Sequence, residues 1–137
     1  MIITYTMNNT LKNKLTLLKA KDYASRVEGV AEFNLSFMKY ERLSILRQKV
    51  SEIIAFSFEQ EGLEYAHPVN NDSLASDIVS MWQRERKCSL LFDGNVEISF
   101  DVKERQTFVK SIFNLNKNCD AMFIFKDRFI YISDDEY

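Results

Sequence analysis

Residues 88–101 constrain the fold more than any other stretch. Cys88, Leu90 and Phe92 recur at every second position, and so do Val96, Ile98 and Phe100. Between the two runs lies Asp93-Gly94-Asn95, a turn tripeptide. Strand side chains alternate between faces, so a one-residue slip in pairing would send every apolar group to the wrong side. A three-residue loop pairs Phe92 with Val96, Leu90 with Ile98 and Cys88 with Phe100, all on one face. A two-residue Asp-Gly loop would set Leu91 against Val96 and Ser89 against Ile98, a poorer match. The pattern predicts the three-residue loop, with Asn95 in the left-handed conformation. Glu97, Ser99, Asp101 and Lys103 then face outward.

After this hairpin, Arg105, Phe108, Val109, Ile112 and Phe113 fall at helical spacing, and Asn116-Lys117-Asn118 ends the helix. A second strand pair follows. Met122 and Ile124 share one face, with Phe123 and Phe125 on the other; Phe129 and Tyr131 oppose Ile130 and Ile132 in the same way. Both faces are apolar. Such a hairpin is central in a sheet covered on both sides, or it presents a binding surface; the first is favoured.

The N-terminal half reads differently. Leu11, Leu15 and Leu18, ringed by Lys12, Lys14, Lys19 and Lys21, predict a helix over 10–28 that Gly29 stops. Phe33, Leu35 and Phe37 alternate with polar residues and favour a short strand; a helix over 31–40 competes. Leu43, Leu46, Val50, Ile53 and Ile54 form one stripe of a helix over 41–61, closed by Gly62. His67-Pro68-Val69-Asn70-Asn71 is a loop, because the residue before proline avoids the helical region. Asp72 or Ser73 then caps a helix to about Arg86, with the stripe Leu74, Ile78, Met81 and Trp82.

The expected fold is therefore α+β: N-terminal helices packed on a C-terminal antiparallel β-β-α-β-β unit, one domain over 1–137. Eleven Phe, six Tyr and one Trp in 137 residues supply enough apolar surface to exclude wholesale disorder. The expected core is Leu46, Val50, Ile53, Leu74, Ile78, Trp82, Leu90, Phe92, Ile98, Phe100, Phe108, Ile112 and Ile124.

Reactive groups are sparse. Two cysteines, Cys88 and Cys119, make no disulfide framework, and with the single His67 they fall short of a four-ligand zinc site. Cys88 falls on the apolar face, as a small hydrophobe does. Residues 1–6 carry no charged leader, and no apolar run spans a bilayer, so the expected setting is the reducing cytoplasm, with no membrane contact. Three isolated glycines form no phosphate loop. Asp93 followed by Asp101-Val102-Lys103 is similar to the acidic-x-Lys signature of metal-dependent nucleases. The hairpin register, however, sets the two carboxylates nearly 20 Å apart, at about 3.3 Å per residue. Asp77 or Glu85 would have to supply the second acid. A small nuclease-like enzyme is thus an alternative reading, not the preferred one, which is non-enzymatic and needs no cofactor.

Charge points the same way. The net charge of −2 excludes a strongly basic nucleic-acid coat. Residues 1–50 nevertheless hold nine basic and four acidic side chains, and residues 51–137 hold nine and sixteen. The lysines of the first helix would serve a nucleic-acid-binding regulator, a third alternative, although Asp127 and the acidic C-terminus would repel phosphate beside the second hairpin. Carboxylates beside aromatics suit a basic protein partner instead. The candidate partner-binding residues are Glu97, Asp101, Asp127, Phe129, Tyr131, Asp134, Asp135 and Glu136. In its small size, its α+β pattern and its acidic C-terminal portion (Glu97, Asp101, Asp127, Asp134, Asp135 and Glu136), the chain resembles bacterial immunity proteins of toxin–immunity pairs, including those of contact-dependent growth inhibition. The resemblance implies a cytoplasmic inhibitor that neutralises a toxin by blocking its active site.

Overall fold

The computed structural model describes the backbone of residues 2–59, 71–117 and 121–132, and the side chains of 11–52, 72–117 and 121–132 among them. The side chains of Ile53 and Ile54, and the whole of Gly62, His67, Asn118, Cys119, Asp134, Asp135 and Glu136, all singled out above, lie outside that description. In chain order the elements are α1 (Ile2–Ser25), β1 (Val30–Phe37), α2 (Tyr40–Glu59), α3 (Asn71–Met81), β2 (Lys87–Phe92), β3 (Val96–Val102), α4 (Arg105–Asn116), β4 (Ala121–Ile124) and β5 (Phe129–Ile132). The strands form one antiparallel sheet of order β1-β3-β2-β4-β5. The chain is α+β, as its patterning predicts.

The first hairpin has the expected register: Phe92 opposes Val96, Leu90 opposes Ile98 and Cys88 opposes Phe100. Its loop is made differently. Asp93 (φ 52°) and Gly94 (φ 88°) take the left-handed region, and Asn95 does not. Two consecutive positive-φ residues give the turn the same hand of twist as its strands, and Gly at the second carries no Cβ penalty.

The N-terminal half also contributes more than helices. β1 pairs with β3 along its length, from Val30–Val102 to Phe37–Val96, and so joins the sheet as an edge strand. This corrects the expectation of a self-contained C-terminal β-β-α-β-β unit. Phe33 and Leu35 lie beside Phe100 and Ile98, so β1 extends the same apolar face. The second hairpin is likewise at an edge and not central. Its two apolar faces are covered from opposite sides. Phe123, Phe125 and Ile130 enter the main core with α3 and α4, while Ile124, Met122 and Phe129 meet Met38, just before α2, and Leu43 and Leu46 within it.

The main core is built around Phe108 of α4, which is fully buried. Its ring lies 5.2 Å from Phe100, 6.0 Å from Trp82 and 6.2 Å from Phe123, at steep interplanar angles. These edge-to-face contacts tie α3, β3 and β4 to one helix. α3 ends at Met81 and not near Arg86, because Trp82 turns inward; its indole Nε1 donates to the Glu85 carbonyl at 2.7 Å. Met81, assigned to the apolar stripe by its spacing, is consequently exposed.

α1 presents the opposite side from the one its leucines suggest. Ala20 and Ala24 are buried, and their small side chains let the helix approach the sheet closely. Leu11, Leu15 and Leu18 are 60%, 53% and 63% exposed. The helix ends at Ser25, ahead of Gly29, whose role is different. Gly29 (φ +78°) sits under the start of α4, and its carbonyl accepts from Lys103 N and Glu104 N at 2.9 and 3.0 Å. A Cβ there would lie 2.6 Å from the Glu104 carbonyl oxygen and 2.9 Å from Phe108 N.

Two substitutions test this account by chemical denaturation. Phe108→Ala removes the ring that joins three elements and should cost about 3–5 kcal/mol. Gly29→Ala combines a left-handed backbone with a backbone clash and should cost roughly 2–4 kcal/mol. Gly94→Ala, where a Cβ meets open space, should cost only about 1 kcal/mol.

Candidate protein-binding surface

The sheet has a dry face and a mixed face. Val96, Ile98, Phe100 and Val102 of β3 point into the main core, so Glu97, Ser99 and Asp101 point the other way. The strand register extends this second face as rows across three strands: Glu32, Asp101 and Lys87, then Asn34, Ser99 and Ser89, then Ser36, Glu97 and Leu91. β4 and β5 continue it with Ile124 beside Phe129 and Met122 beside Tyr131. The face grades from polar at β1 to apolar at β5, and α2 lies on its apolar part.

The predicted site residues fall into two groups here. Glu97 and Asp101 share β3. Asp127, Phe129 and Tyr131 lie in the β4–β5 turn and on β5, three strands away, or about 14 Å at the usual strand spacing. Glu97 and Asp101 are not a bare acidic patch. Arg42 Nη1 of α2 donates to both Glu97 oxygens at 2.8 and 3.1 Å, and Arg86 Nε donates to Asp101 Oδ1 at 2.7 Å. The carboxylate side chains are 13% and 16% exposed, while their arginines are 46% and 73% exposed. A partner approaching β3 therefore meets guanidinium groups first. Periodicity places the two carboxylates on one face correctly, but it cannot reveal a counter-ion that stands 55 positions earlier in the chain.

The β5 group is placed differently. Asp127 is exposed, and Phe129 and Tyr131 are half-buried on the same face. β5 ends the sheet, so its outer backbone edge has no neighbour among the described strands. Arg128 is drawn back from this edge. Its guanidinium lies 4.5 Å from the Phe125 ring centroid and 2.8 Å from Glu85 Oε2, in an ion pair aligned for charge attraction but not for a hydrogen bond. Arg105 caps the neighbouring Trp82 ring at 5.1 Å and donates to the Glu85 carbonyl at 3.2 Å. Trp82 and Phe125 are thus each covered by a guanidinium, a cluster that spacing alone does not disclose.

Groups with reactive potential are placed as follows. Burial pushes the Cys88 thiol well up from its ordinary range, so it stays protonated at neutral pH and is no nucleophile. Asp93 and Asp101 stand at opposite ends of the hairpin, and Asp101 is ion-paired. Asp77 belongs to α3, which packs on the opposite side of the sheet from Asp101. No group of three or more His, Cys, Asp or Glu able to hold a metal occurs among the described residues. The lysines at 12, 14, 19 and 21 are all exposed on α1. No described helix is long and apolar enough to cross a membrane.

A cleft of about 300 Å³ opens between α1, α4 and the sheet, lined by Tyr23, Phe92, Asn116 and Met122 among others. The Tyr23 hydroxyl donates to Asn116 Oδ1 at 2.7 Å, and burial pushes its pKa up to about 12 from the ordinary 10.0. The folded state favours the neutral phenol. Stability from this group is therefore intact below pH 10 and lost as pH rises toward 12. In alkaline denaturation Tyr23→Phe should lose part of that pH dependence, and about 1 kcal/mol of stability at neutral pH with the hydrogen bond. An unchanged alkaline profile would refute the placement.

No protein-family model, curated protein or solved structure matches the chain.

Proposed function

We propose that the protein is a non-enzymatic binding module that acts on another protein, and specifically a cytoplasmic immunity or inhibitor protein that neutralises a basic toxin domain by covering its active site. The observation that carries this reading is the β5 edge. It combines a terminal strand, two half-buried aromatics on one face and an exposed carboxylate in the turn before it. Interfaces concentrate binding energy in aromatic anchors ringed by polar groups, and a terminal strand can accept another strand along its edge. Asp127, with Asp134, Asp135 and Glu136 following in the sequence, would steer a basic partner. Glu97 and Asp101 serve as secondary contacts, because their arginines already offset their charge.

Co-purification from the native host tests the proposal. The expected result is one predominant basic protein whose affinity falls as salt rises, mainly through a slower on-rate. Tyr131→Ala with Asp127→Asn should weaken that complex about tenfold, with the native fold of the variant checked by circular dichroism. Recovery of no protein partner, or equal affinity for the double variant, would overturn the assignment of β5.

A further inference from the structure

We propose that the outer face of α1 is a second docking site, and that its occupant is an amphipathic helix of another protein with carboxylates flanking an apolar seam. The starting observation is that Leu11, Leu15 and Leu18 are 60%, 53% and 63% exposed. At about 100° per residue these three side chains occupy an arc of only about 60°, diametrically opposite the buried Ala20. Their spacing of four and then three residues is that of a coiled-coil seam, narrower than the face a helix needs to lie in a lipid surface. Asp22, the next seam position, is ion-paired with Arg26 at 3.2 Å and ends the stripe.

The charges bordering the seam choose the occupant. Lys12 and Lys19 lie on one side of it, and Lys14 and Lys21 on the other, all exposed. In heptad terms these are the flanking positions that face a partner helix and set its identity. With lysine at all four, a second copy of α1 would bring ammonium against ammonium in either orientation, which disfavours self-pairing. A helix carrying Glu or Asp at the matching positions meets four opposite charges. Residues 11–15 are all exposed, so this part of the helix has no tertiary cover among the described residues. A bare helical stretch gains stability when a partner covers it. This site stands apart from the β5 edge and selects the opposite charge, so either can fail without the other.

The full-length protein tests this by fluorescence anisotropy with a labelled synthetic peptide of repeated heptads, leucine in the seam and glutamate at the flanks. A peptide identical but for lysine at the flanks is the control. Expected are saturable binding of the acidic peptide alone, loss of affinity with salt, and about tenfold weakening by Leu15→Ser. Reversing Lys12, Lys14, Lys19 and Lys21 to Glu should transfer the preference to the lysine-flanked peptide. If that variant does not fold, as judged by circular dichroism, Lys14→Glu with Lys21→Glu should still lower affinity for the acidic peptide. Equal binding of the two peptides, or binding of neither, overturns the proposal. So does sedimentation with phosphatidylglycerol vesicles in the absence of peptide binding, which would assign the seam to a lipid surface.

Discussion

The edge-to-face packing of Phe108 against Phe100, Trp82 and Phe123 is the contact on which the rest of the molecule depends. One ring on α4 meets the central hairpin, the end of α3 and the second hairpin. Because α4 is the connection between the two hairpins, fixing it also fixes how β4 is laid beside β2. The same helix begins against Gly29, whose carbonyl accepts two amides at that start. The chain between α1 and β1 is thereby attached to the helix that organises the core. Phe108 and Gly29 act on one junction from its two sides.

A sheet buried on one face leaves its other face to be divided. Here the division follows strand order. The β1 and β3 side carries carboxylates already matched by Arg42 and Arg86, and the β4 and β5 side carries apolar groups shared with α2. A charge that is paired within the molecule offers less to a partner, since an incoming cation must compete with a guanidinium already in place. In the proposed reading, that shifts the weight of recognition from the middle of the sheet to its β5 edge. The guanidinium groups over Trp82 and Phe125 close the margin of the main core at that end of the sheet.

α1 shows how one helix can be apolar on two sides for two purposes. Alanines make the inner contact, because only small side chains let a helix axis come close to the sheet. Leu11, Leu15 and Leu18 point outward with lysines beside them. The inner side, Ala20 and Ala24 with Leu17 and Tyr23 at its margin, serves folding, and Leu11, Leu15 and Leu18 take no part in the core.

Features that depend on local period are readable from the chain alone. The register of the β2–β3 hairpin, the extent of α4 and the α+β class all follow from alternation of two or repetition near 3.6, which a short window displays in full. Cys88 as a buried hydrophobe and the shared face of Phe129 and Tyr131 were legible for the same reason. Relations between distant segments emerge only from the folded molecule. These are the addition of β1 to β3, the edge position of the second hairpin, the pairing of Glu97 with Arg42, and which of two apolar sides of α1 meets the core. Periodicity says that a side is apolar; whether it is buried depends on the shape of what it must pack against. The small volume of Ala20 and Ala24 settles that for α1 only once the sheet is in place.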